Sequence, residues 1–202
     1  MSPPEQPEHV TDGSEYPSGL VAEVRTTDGG HLHVRPIRPD DAPGLVEFHE
    51  GLSTDSVYRR FFFVHLRLTD SEVERFTRVD YVDRLALVAL DGNRLVAVGR
   101  YDRRPGTDEA EVAFVVADHY QHRGIGTLLL EQLAAAAWSR GITQFVAETL
   151  TDNRDMLRVF FDSGFLVTAT SEGGTSTVRF GIEPDDRYLA ARAARHAGTA
   201  AT

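Results

Sequence analysis

Cysteine and lysine are both absent from this chain of 202 residues, in which all 21 basic side chains other than histidine are arginines. Without cysteine the protein has no disulfide, no cysteine-rich zinc site and no thiol nucleophile. No apolar run approaches the roughly 20 residues that a membrane-spanning helix requires. The first residues lack the basic and apolar regions of a signal peptide. These absences predict a cytoplasmic protein without a membrane anchor.

Basic residues are outnumbered by acidic ones, 21 to 31, so the net charge at pH 7 is −10. A protein that coats nucleic acid needs clustered positive charge to follow the phosphates. The composition therefore argues against a nucleic-acid partner and favours a basic one.

The spacing of apolar residues predicts one mixed α/β domain of the α+β type. Residues 1–18 contain prolines, glycines and acids without periodicity, which predicts a disordered tail. The domain is expected over 19–184, followed at 185–202 by a frayed helix or a truncated linker. The predicted elements are a strand at 31–38, helices beginning near 42, 54 and 70, strands at 84–90, 93–101 and 109–117, a helix from 125 ending at Gly141, a strand at 143–150, a helix at 152–163, and strands at 165–170 and 176–182.

The stretch YQHRGIGTLLLEQL, at 120–133, places two glycines between a strand pattern and a helix pattern. Such a helix start leaves backbone N–H groups without partners, with the positive end of the helix dipole behind them. Gly124 and Gly126 allow close approach to the backbone, while Gln121, Arg123 and Thr127 supply further donors. The turn therefore predicts an anion site that suits a pyrophosphate.

Two common phosphate motifs do not match this turn. A dinucleotide-binding loop needs a third glycine where Leu129 stands, and a P-loop needs a lysine, which the chain lacks. Gln121, Gly124 and Gly126 instead form the pattern Gln-x-x-Gly-x-Gly, which resembles the acyl-coenzyme A loop of the GCN5-related N-acetyltransferases (GNAT). Glycines ahead of a helix also occur where close packing leaves no room for a side chain and no ligand is bound.

A second segment resembles the same family. In DNRDMLRVFFDSGF, at 152–165, Asn153 opens a short helix that ends in Gly164 and Phe165 ahead of the next strand. The order and separation of both segments agree with the GNAT pattern, and the resemblance covers about residues 31–182. It implies the GNAT fold, a mixed and mostly antiparallel sheet flanked by helices and splayed between the fourth and fifth strands.

The resemblance implies acetyl-CoA as the acyl-donor cosubstrate and no metal. The pantetheine arm would pair with exposed backbone of the fourth predicted strand, where an N–H near Val115 would polarise the thioester carbonyl. The pyrophosphate would lie on the glycine turn. The cofactor-binding residues implied are Val115, Val116, Ala117, Gln121, His122, Arg123, Gly124, Ile125, Gly126, Thr127, Asn153 and Phe160.

The position of the family's general acid differs in this chain. Phe160 stands where many members carry a tyrosine that protonates the departing thiolate, and Phe161 also lacks a hydroxyl. A thiolate with a pKa of about 8.5 is a tolerable leaving group, so the acid is either unnecessary or a water molecule. Tyr120 is the remaining side-chain candidate.

Transfer to an amine requires a base, since a lysine with a pKa near 10.4 is almost wholly protonated at pH 7. Alternation in EAEVAFVVA, at 109–117, puts Glu109 and Glu111 on the strand face of the cofactor groove. Glu111 is nearer to the apolar part of the strand, where loss of hydration would make it a stronger base, and it matches the family's usual base position. We expect Glu111 to take the proton, directly or through water, with Glu109 as the second candidate. A solvated carboxylate near the strand end is the alternative for each.

The stretch LSTDSVYRRFF, at 52–62, resembles the Ser-x-x-Ser-x-Tyr-x-Arg-Phe-Phe signature in the GNAT domains of bacterial Pat-type protein lysine acetyltransferases. An amphipathic helix with aromatic core residues would show the same pattern. Members of that group acetylate the active-site lysine of AMP-forming acyl-CoA synthetases, and their GNAT domain is often fused to a regulatory domain. The resemblance implies a protein substrate of this kind and a regulatory domain in a longer chain. Acids available to meet a basic partner are Asp40, Asp41, Glu47 and Glu50.

Two rival functions stay open at this point. One is a small-molecule amine N-acetyltransferase, and the other is a non-catalytic module that senses acyl-CoA. The absence of lysine fits a protein lysine acetyltransferase that cannot modify its own side chains. A codon preference that also enriches alanine, aspartate and glycine explains the same absence.

Histidines do not form a recognisable metal site in the sequence. His31 and His33 share a strand face, but no third ligand follows at a suitable spacing. His65, His119 and His122 are expected to be ordinary residues, although His122 lies in the glycine turn and could contact a phosphate.

Overall fold

The computed structural model describes residues 15–62 and 67–200, without the side chains of 196–200. Eight strands form one sheet in the order β1-β2-β3-β4-β5-β6-β8-β7. All neighbours are antiparallel except β5 and β6, so the sheet is mixed and mostly antiparallel, as predicted. The strands are β1 Ala22–Arg25, β2 His31–Pro36, β3 Arg84–Asp91, β4 Arg94–Arg103, β5 Glu109–Val116, β6 Gln144–Leu150, β7 Val167–Glu172 and β8 Thr175–Gly181.

Within the described residues, six α-helices cover the two faces of this sheet. On one face, Leu45 and Phe48 pack with Ile37 and Val98 in a buried cluster. On the other face, a larger buried cluster includes Leu133. The helices are α1 Ala42–Glu50, α2 Thr54–Phe61, α3 Asp70–Thr77, α4 Ile125–Trp138, α5 Arg154–Phe161 and α6 Asp186–Ala200.

Capping side chains begin the helices near the predicted positions. Ser53 accepts a hydrogen bond from the Ser56 N–H at 3.1 Å and begins α2. Thr69 and Glu72 form a capping box that begins α3. Because these local bonds satisfy donors that a helix start leaves open, the sequence alone places both helices well.

The short strand β1 is an element that the sequence pattern does not predict. It has four residues at the edge of the sheet and pairs with β2, from Ala22 opposite Val34 to Arg25 opposite His31. Its residues alternate between half-buried and exposed positions. The pairing with β2, which the local sequence does not specify, distinguishes it from a loop.

Residues near both ends of the described chain pack against the domain. The Tyr16 hydroxyl donates to the Pro36 carbonyl at 3.2 Å, and its ring meets Tyr81 edge-on. In α6, the Tyr188 ring stacks on Phe165 with the ring centroids 4.3 Å apart. The segment expected to be a frayed helix or linker is therefore a helix anchored by a buried ring.

Residues 1–14 of the expected disordered tail, and His65, lie outside the described residues. Within the described ranges, no helix is both long enough and apolar enough to cross a membrane.

Candidate active site

The sheet opens between β5 and β6. These parallel strands pair over three positions, from Glu109 opposite Gln144 to Glu111 opposite Val146, and then separate. A cleft of about 460 Å³ lies beyond this point, with walls from β5, β6, α2, α4 and α5. The fourth and fifth predicted strands are β5 and β6, so the predicted splay is confirmed. The volume of the cleft suits a small-molecule site.

Backbone groups of β5 alternate between β4 and the cleft. The Arg104 N–H donates to the Glu109 carbonyl and the Ala117 N–H donates to the Val96 carbonyl, both at 2.9 Å. Odd-numbered residues of β5 therefore bond to β4. The residues whose backbone groups face the cleft are Val112, Phe114 and Val116.

Of the three residues expected to offer their backbone, Val115, Val116 and Ala117, only Val116 has its backbone groups on the cleft side. The N–H groups of Val115 and Ala117 belong to the ladder with β4, so the prediction that they face a ligand is wrong. The neighbouring N–H groups of Phe114 and Val116 take that position. The Val115 side chain still lines the cleft.

The glycine turn presents a row of backbone donors at one end of the cleft. Gly124 has a φ of +77°, and a Cβ there would lie 3.0 Å from the methyl carbon of Thr27. At Gly126 a Cβ would lie 3.1 Å from Val159. No acceptor within the described chain bonds the N–H groups of residues 122–127. Together with the dipole of α4, these donors have the geometry that an anion requires.

Gln121 is used inside the protein rather than facing the anion site. Its Nε2 donates to Ser56 Oγ and to the Val116 carbonyl, both at 3.1 Å. Asp118 accepts from the Ser53 N–H at 2.9 Å, from Ser53 Oγ at 2.6 Å and from Ser56 Oγ at 2.8 Å. These contacts fasten the first turn of α2 to the connection between β5 and α4.

The charge of Asp118 is stabilised by that network. Burial raises the pKa of Asp118, but the hydrogen bonds from Ser53 and Ser56 outweigh it, so the pKa lies below the ordinary value. The carboxylate is therefore ionised at neutral pH and accepts all three hydrogen bonds.

The charged side chains of the turn lie at its rim. Arg123 Nη2 donates to the His119 carbonyl at 2.8 Å, and Nη1 lies 3.2 Å from an oxygen of Asp28. The guanidinium also covers the Tyr120 ring at 4.9 Å. His122 is exposed and has a positive φ of 61°. The Arg123 guanidinium remains close enough to the turn to add to its positive potential.

The remaining predicted cofactor residues also surround the cleft. Ile125 is buried and Thr127 is half-buried in the first turn of α4. Asn153 is buried, and its Oδ1 accepts from the Met156 N–H at 3.2 Å to begin α5. All of these residues line the cleft, as does the buried ring of Phe160.

The Tyr120 hydroxyl is hydrogen-bonded to a residue outside the cleft lining, although Tyr120 itself lines the cleft. The hydroxyl donates to Asp91 Oδ2 at 2.7 Å, in the turn between β3 and β4. This hydrogen bond, together with burial, raises the pKa of Tyr120 above its ordinary value. The geometry favours a structural role for this hydroxyl.

Glu109 and Glu111 lie on the same face of β5 in different surroundings. Glu109 is largely buried and tied by Oε1 to Arg104, while its Oε2 lies 3.9 Å from Arg179. Glu111 is exposed, so the loss of hydration expected for it is not found. Cleft-lining residues of β5 begin at the next position, Val112. Glu111 therefore stands at the closed end of the splay, with its carboxylate open to solvent.

Several charged residues of the cleft were not predicted, among them Glu148 and Arg60. Glu148 is the exposed carboxylate of β6 in the opposite wall, and its position two residues after Val146 puts it on the same sheet face as Glu111. Alternation in TQFVAETL was the signal that could have identified it. Arg60 of α2 also lines the cleft; burial and the nearby Arg100 lower its pKa to about 10. Arg60 stays cationic at neutral pH.

The acids expected to meet a basic partner do not all remain available. Asp41 forms a bidentate pair with Arg35, with oxygen–nitrogen distances of 2.6 and 2.7 Å. Burial raises the pKa of Asp41, but the hydrogen bonds from Arg35 and the Arg38 N–H outweigh this effect, so the pKa lies below its ordinary value. Asp40 and Glu47 are exposed. Asp41 is therefore a structural residue of the turn before α1.

Histidine, aspartate and glutamate do not gather into a metal-binding cluster of three or more in the parts of the chain that are described. His33 Nδ1 lies 2.6 Å from Glu23, its neighbour across the sheet edge.

Comparison with known proteins agrees with this geometry. The pattern of the Acetyltransferase (GNAT) family matches residues 53–165, more than half of the chain. The acetyltransferase Pat of Mycolicibacterium smegmatis is 35% identical over 143 residues, which is 69% of this chain and 42% of that protein. This chain therefore matches less than half of the length of that relative.

Solved structures have the same fold. The GNAT domain of PAT from S. lividans is 44% identical, with a TM-score of 0.78, and the match covers 83% of this chain and 99% of that domain. The yncA protein of Salmonella typhimurium, solved with its cofactor acetyl-CoA, is 17% identical, with a TM-score of 0.62 over 77% of this chain and 96% of that one. From its sequence match and its splayed sheet, this chain belongs to the GNAT family of acetyltransferases.

Proposed function

We propose that this protein is an acetyl-CoA-dependent protein lysine N-acetyltransferase, and that its substrate is the active-site lysine of an AMP-forming acyl-CoA synthetase. The cleft carries this proposal, because a row of open backbone donors at residues 122–127 lies at one end of it and Glu111 stands directly before its first lining residue on β5. One end suits the pyrophosphate of coenzyme A, and the other suits proton removal from an amine.

The donor would lie along β5. The pyrophosphate would accept hydrogen bonds from the glycine turn, and the pantetheine arm would pair with the backbone of Val116 and Phe114. The thioester carbonyl would then accept from a strand N–H, which stabilises the negative charge that develops on its oxygen. Gly126 keeps the path beside Val159 open.

The reaction would proceed in a ternary complex. The neutral amine nitrogen attacks the thioester carbon, the C–N bond forms, and the C–S bond breaks as coenzyme A departs as a thiolate. Glu111 first takes the proton that makes the amine neutral, directly or through a water molecule, and the second proton, released as the amide forms, passes to solvent. Glu111 is exposed, so water has access to it. No acyl group is attached to the protein at any step, which agrees with the absence of cysteine.

The acceptor side of the cleft supports a cationic substrate. Glu148 and Glu111 lie on the same sheet face and are both exposed, so an approaching lysine would meet two carboxylates. Tyr58, in the stretch that resembles the Pat signature, is exposed on α2. We call residues 117–124, which connect β5 to α4, the cofactor loop. Asp118 of this loop holds α2 against it, so donor and acceptor sites share one wall.

A regulatory domain in a longer chain is a further part of the proposal. The match to the Mycolicibacterium smegmatis protein leaves 58% of that relative outside the aligned region, since 42% is covered. The unaligned part of that relative is long enough for an additional domain, which supports this part of the proposal.

The direct test uses radiolabelled acetyl-CoA and a panel of purified acyl-CoA synthetases, each with and without its catalytic lysine. We expect label on at least one synthetase and none on its lysine variant. Polyamines and aminoglycosides serve as parallel acceptors. Faster transfer to these free amines would favour a small-molecule acetyltransferase, and acetyl-CoA binding without transfer to any amine would favour a sensor.

A further inference from the structure

Thr149 of β6 is a buried polar residue that the proposed mechanism does not use. It is 1% exposed, and its Oγ has no hydrogen-bond partner among the described residues. Ser176, directly opposite on β8, is also buried, but its Oγ lies 2.8 Å from Ser171 Oγ and donates to Thr151 Oγ at 3.4 Å. A buried hydroxyl without a partner destabilises the free protein, so a hydrogen bond to a bound ligand would explain its presence.

Thr149 stands in the wall of the cleft opposite β5. It lines the cleft together with its neighbour Glu148. Three residues separate Thr149 from Val146, and three separate Phe114 from Glu111, the last directly opposed pair of the two strands. Thr149 is therefore level with Phe114, whose backbone N–H faces the cleft. In the proposed arrangement the pantetheine arm ends beside Phe114, so the hydroxyl lies at the depth of the thioester.

The same sheet face carries a position from which a hydroxyl is missing. Thr149 and Phe114 both lie three residues beyond a directly opposed pair, so their side chains share the face covered by α4 and α5. The Phe160 ring packs on this face, with its centroid 6.2 Å from that of Phe114. Phe160 stands where many family members carry the tyrosine that meets the departing thiolate. Thr149 places a hydroxyl on that face from the neighbouring strand.

We propose that the Thr149 hydroxyl is a further catalytic group, which donates a hydrogen bond to the thioester sulfur and stabilises the thiolate of coenzyme A as it departs. This inference rests on the proposed function for the position of the donor. The amine nitrogen bonds to the acyl carbon, the C–S bond breaks, and its electron pair passes to sulfur. An aliphatic hydroxyl is a far weaker acid than a thiol, so Thr149 keeps its proton. Its hydrogen bond strengthens as the sulfur becomes charged, which favours the transition state over the bound donor.

Calorimetric titration of CoA and of desulfo-CoA, in which hydrogen replaces the thiol group, tests the contact without an acceptor. Thr149→Val has nearly the shape of the wild type but no hydroxyl. We expect it to bind CoA about fivefold more weakly than the wild type, because one hydrogen bond is lost, and to bind desulfo-CoA equally. Equal losses for both ligands would assign the hydroxyl to the pantetheine arm, and no loss for CoA would exclude a contact. Either result would overturn the proposal.

The thermal stability of Thr149→Val separates a ligand contact from a structural role. Removal of an unpaired buried hydroxyl should raise the Tm of the free protein by about 2–4 °C. Thr77→Val is the matched control, because Thr77 is equally buried but donates to the Val73 carbonyl at 2.8 Å, outside the cleft lining. It should lower the Tm and leave CoA affinity unchanged. A lower Tm for Thr149→Val would show that its hydroxyl is bonded within the free protein, which contradicts the proposal.

Single-turnover transfer from bound acetyl-CoA to a synthetase lysine tests the catalytic role. Thr149→Val should transfer about 10- to 100-fold more slowly, since a hydrogen bond to a charged group contributes on this scale. Its Kd for acetyl-CoA should stay within about threefold, because a thioester sulfur is a weak acceptor. Thr149→Ser retains the hydroxyl and should transfer at nearly the wild-type rate. If Thr149→Val does not fold, Thr149→Ala replaces it in each experiment, with Thr149→Ser as the reference.

The two experiments distinguish failure of this inference from failure of the proposed function. Transfer at the wild-type rate by Thr149→Val would overturn the role of Thr149 and leave the proposed function standing. Absence of transfer from the wild type to every synthetase, with the sulfur-dependent loss of CoA affinity intact, would contradict the proposed function and leave the contact supported.

Discussion

Glu109 and Glu111 stand two positions apart on β5, yet they differ in what their carboxylates contact. The oxygens of Glu109 face Arg104 and Arg179, whereas Glu111 is exposed at the closed end of the splay. A base must reach both an incoming amine and water, and Glu111 has that freedom. The alternation of EAEVAFVVA was enough to place both glutamates on one face. The arginine partners of Glu109, one of them on β8, could not be read from the local sequence.

Replacing Glu111 with Gln should lower turnover at pH 7 by about 100-fold or more, since general base catalysis commonly contributes on that scale. Rates of acetyl transfer should recover partly as the pH rises, because the acceptor lysine, with a pKa near 10.4, then loses its proton to solvent. The pH profile of kcat measures this. Glu109→Gln is the control and should retain most of the activity; a profile of Glu111→Gln that matches the wild type would remove Glu111 from the mechanism.

Replacing Tyr120 with Phe should leave turnover within a few-fold of the wild type. Its hydroxyl donates to Asp91, outside the cleft lining, so the departing thiolate does not depend on it. Steady-state kinetics with acetyl-CoA at saturation measures the effect. If turnover were abolished while acetyl-CoA affinity stayed intact, Tyr120 would be the general acid after all.

At the scale of elements, α2 and the connection between β5 and α4 form one unit. Ser53 and Ser56 bond to Asp118, more than 60 residues further along the chain, and Gln121 reaches Ser56 from the cofactor loop. The sequence predicted the start of α2 from Ser53 as a cap, because capping is local. It did not predict that Gln121 would bond to α2 and not to a phosphate, because that bond depends on tertiary packing.

Replacing Asp118 with Asn should lower the free energy of unfolding by about 1 kcal/mol at pH 7, because the hydrogen bonds to its carboxylate are weakened. The pKa of Asp118 is lowered in the folded state, so this contribution is fully present above its ordinary pKa and is lost as the pH falls through the folded-state value. Urea unfolding of both proteins from pH 7 down to pH 3 should show the difference shrink in acid.

Asp55→Asn on α2 provides the control for Asp118→Asn. Asp55 is exposed and pairs with Arg59 four residues later, an arrangement that contributes only about 0.3–0.5 kcal/mol. A loss for Asp118→Asn no larger than for Asp55→Asn, or one that is independent of pH, would contradict the coupling of α2 to the cofactor loop.

At the scale of the whole molecule, the sheet separates two buried clusters that support different helices. The larger cluster supports α4, α5 and α6, and so positions the glycine turn and Asn153. The smaller cluster lies under α1 and α3. Composition and periodicity predicted the α+β fold, while the packing of α6 depends on contacts with Phe165 and Glu131 that lie far away in sequence.

Replacing Tyr188 with Ala should lower the free energy of unfolding by about 3 kcal/mol, because it removes a buried ring stacked on Phe165. The neighbouring change Leu189→Ala should cost well under 1 kcal/mol, since Leu189 is 46% exposed. Chemical denaturation of both variants provides the comparison. Equal losses would show that α6 is not anchored through Tyr188.

The central claim is that the splayed sheet and its glycine turn form the binding site for acetyl-CoA. Calorimetry of acetyl-CoA with Gly126→Asp tests it most directly, because a carboxylate in the first turn of α4 suits the helix dipole but repels a pyrophosphate. Gly44→Asp is the control, since it places the same charge in the first turn of α1, where a new Cβ meets nothing within 4 Å. We predict that Gly126→Asp folds and binds acetyl-CoA at least 100-fold more weakly, while Gly44→Asp binds like the wild type. Unchanged affinity in a folded Gly126→Asp protein would contradict the account.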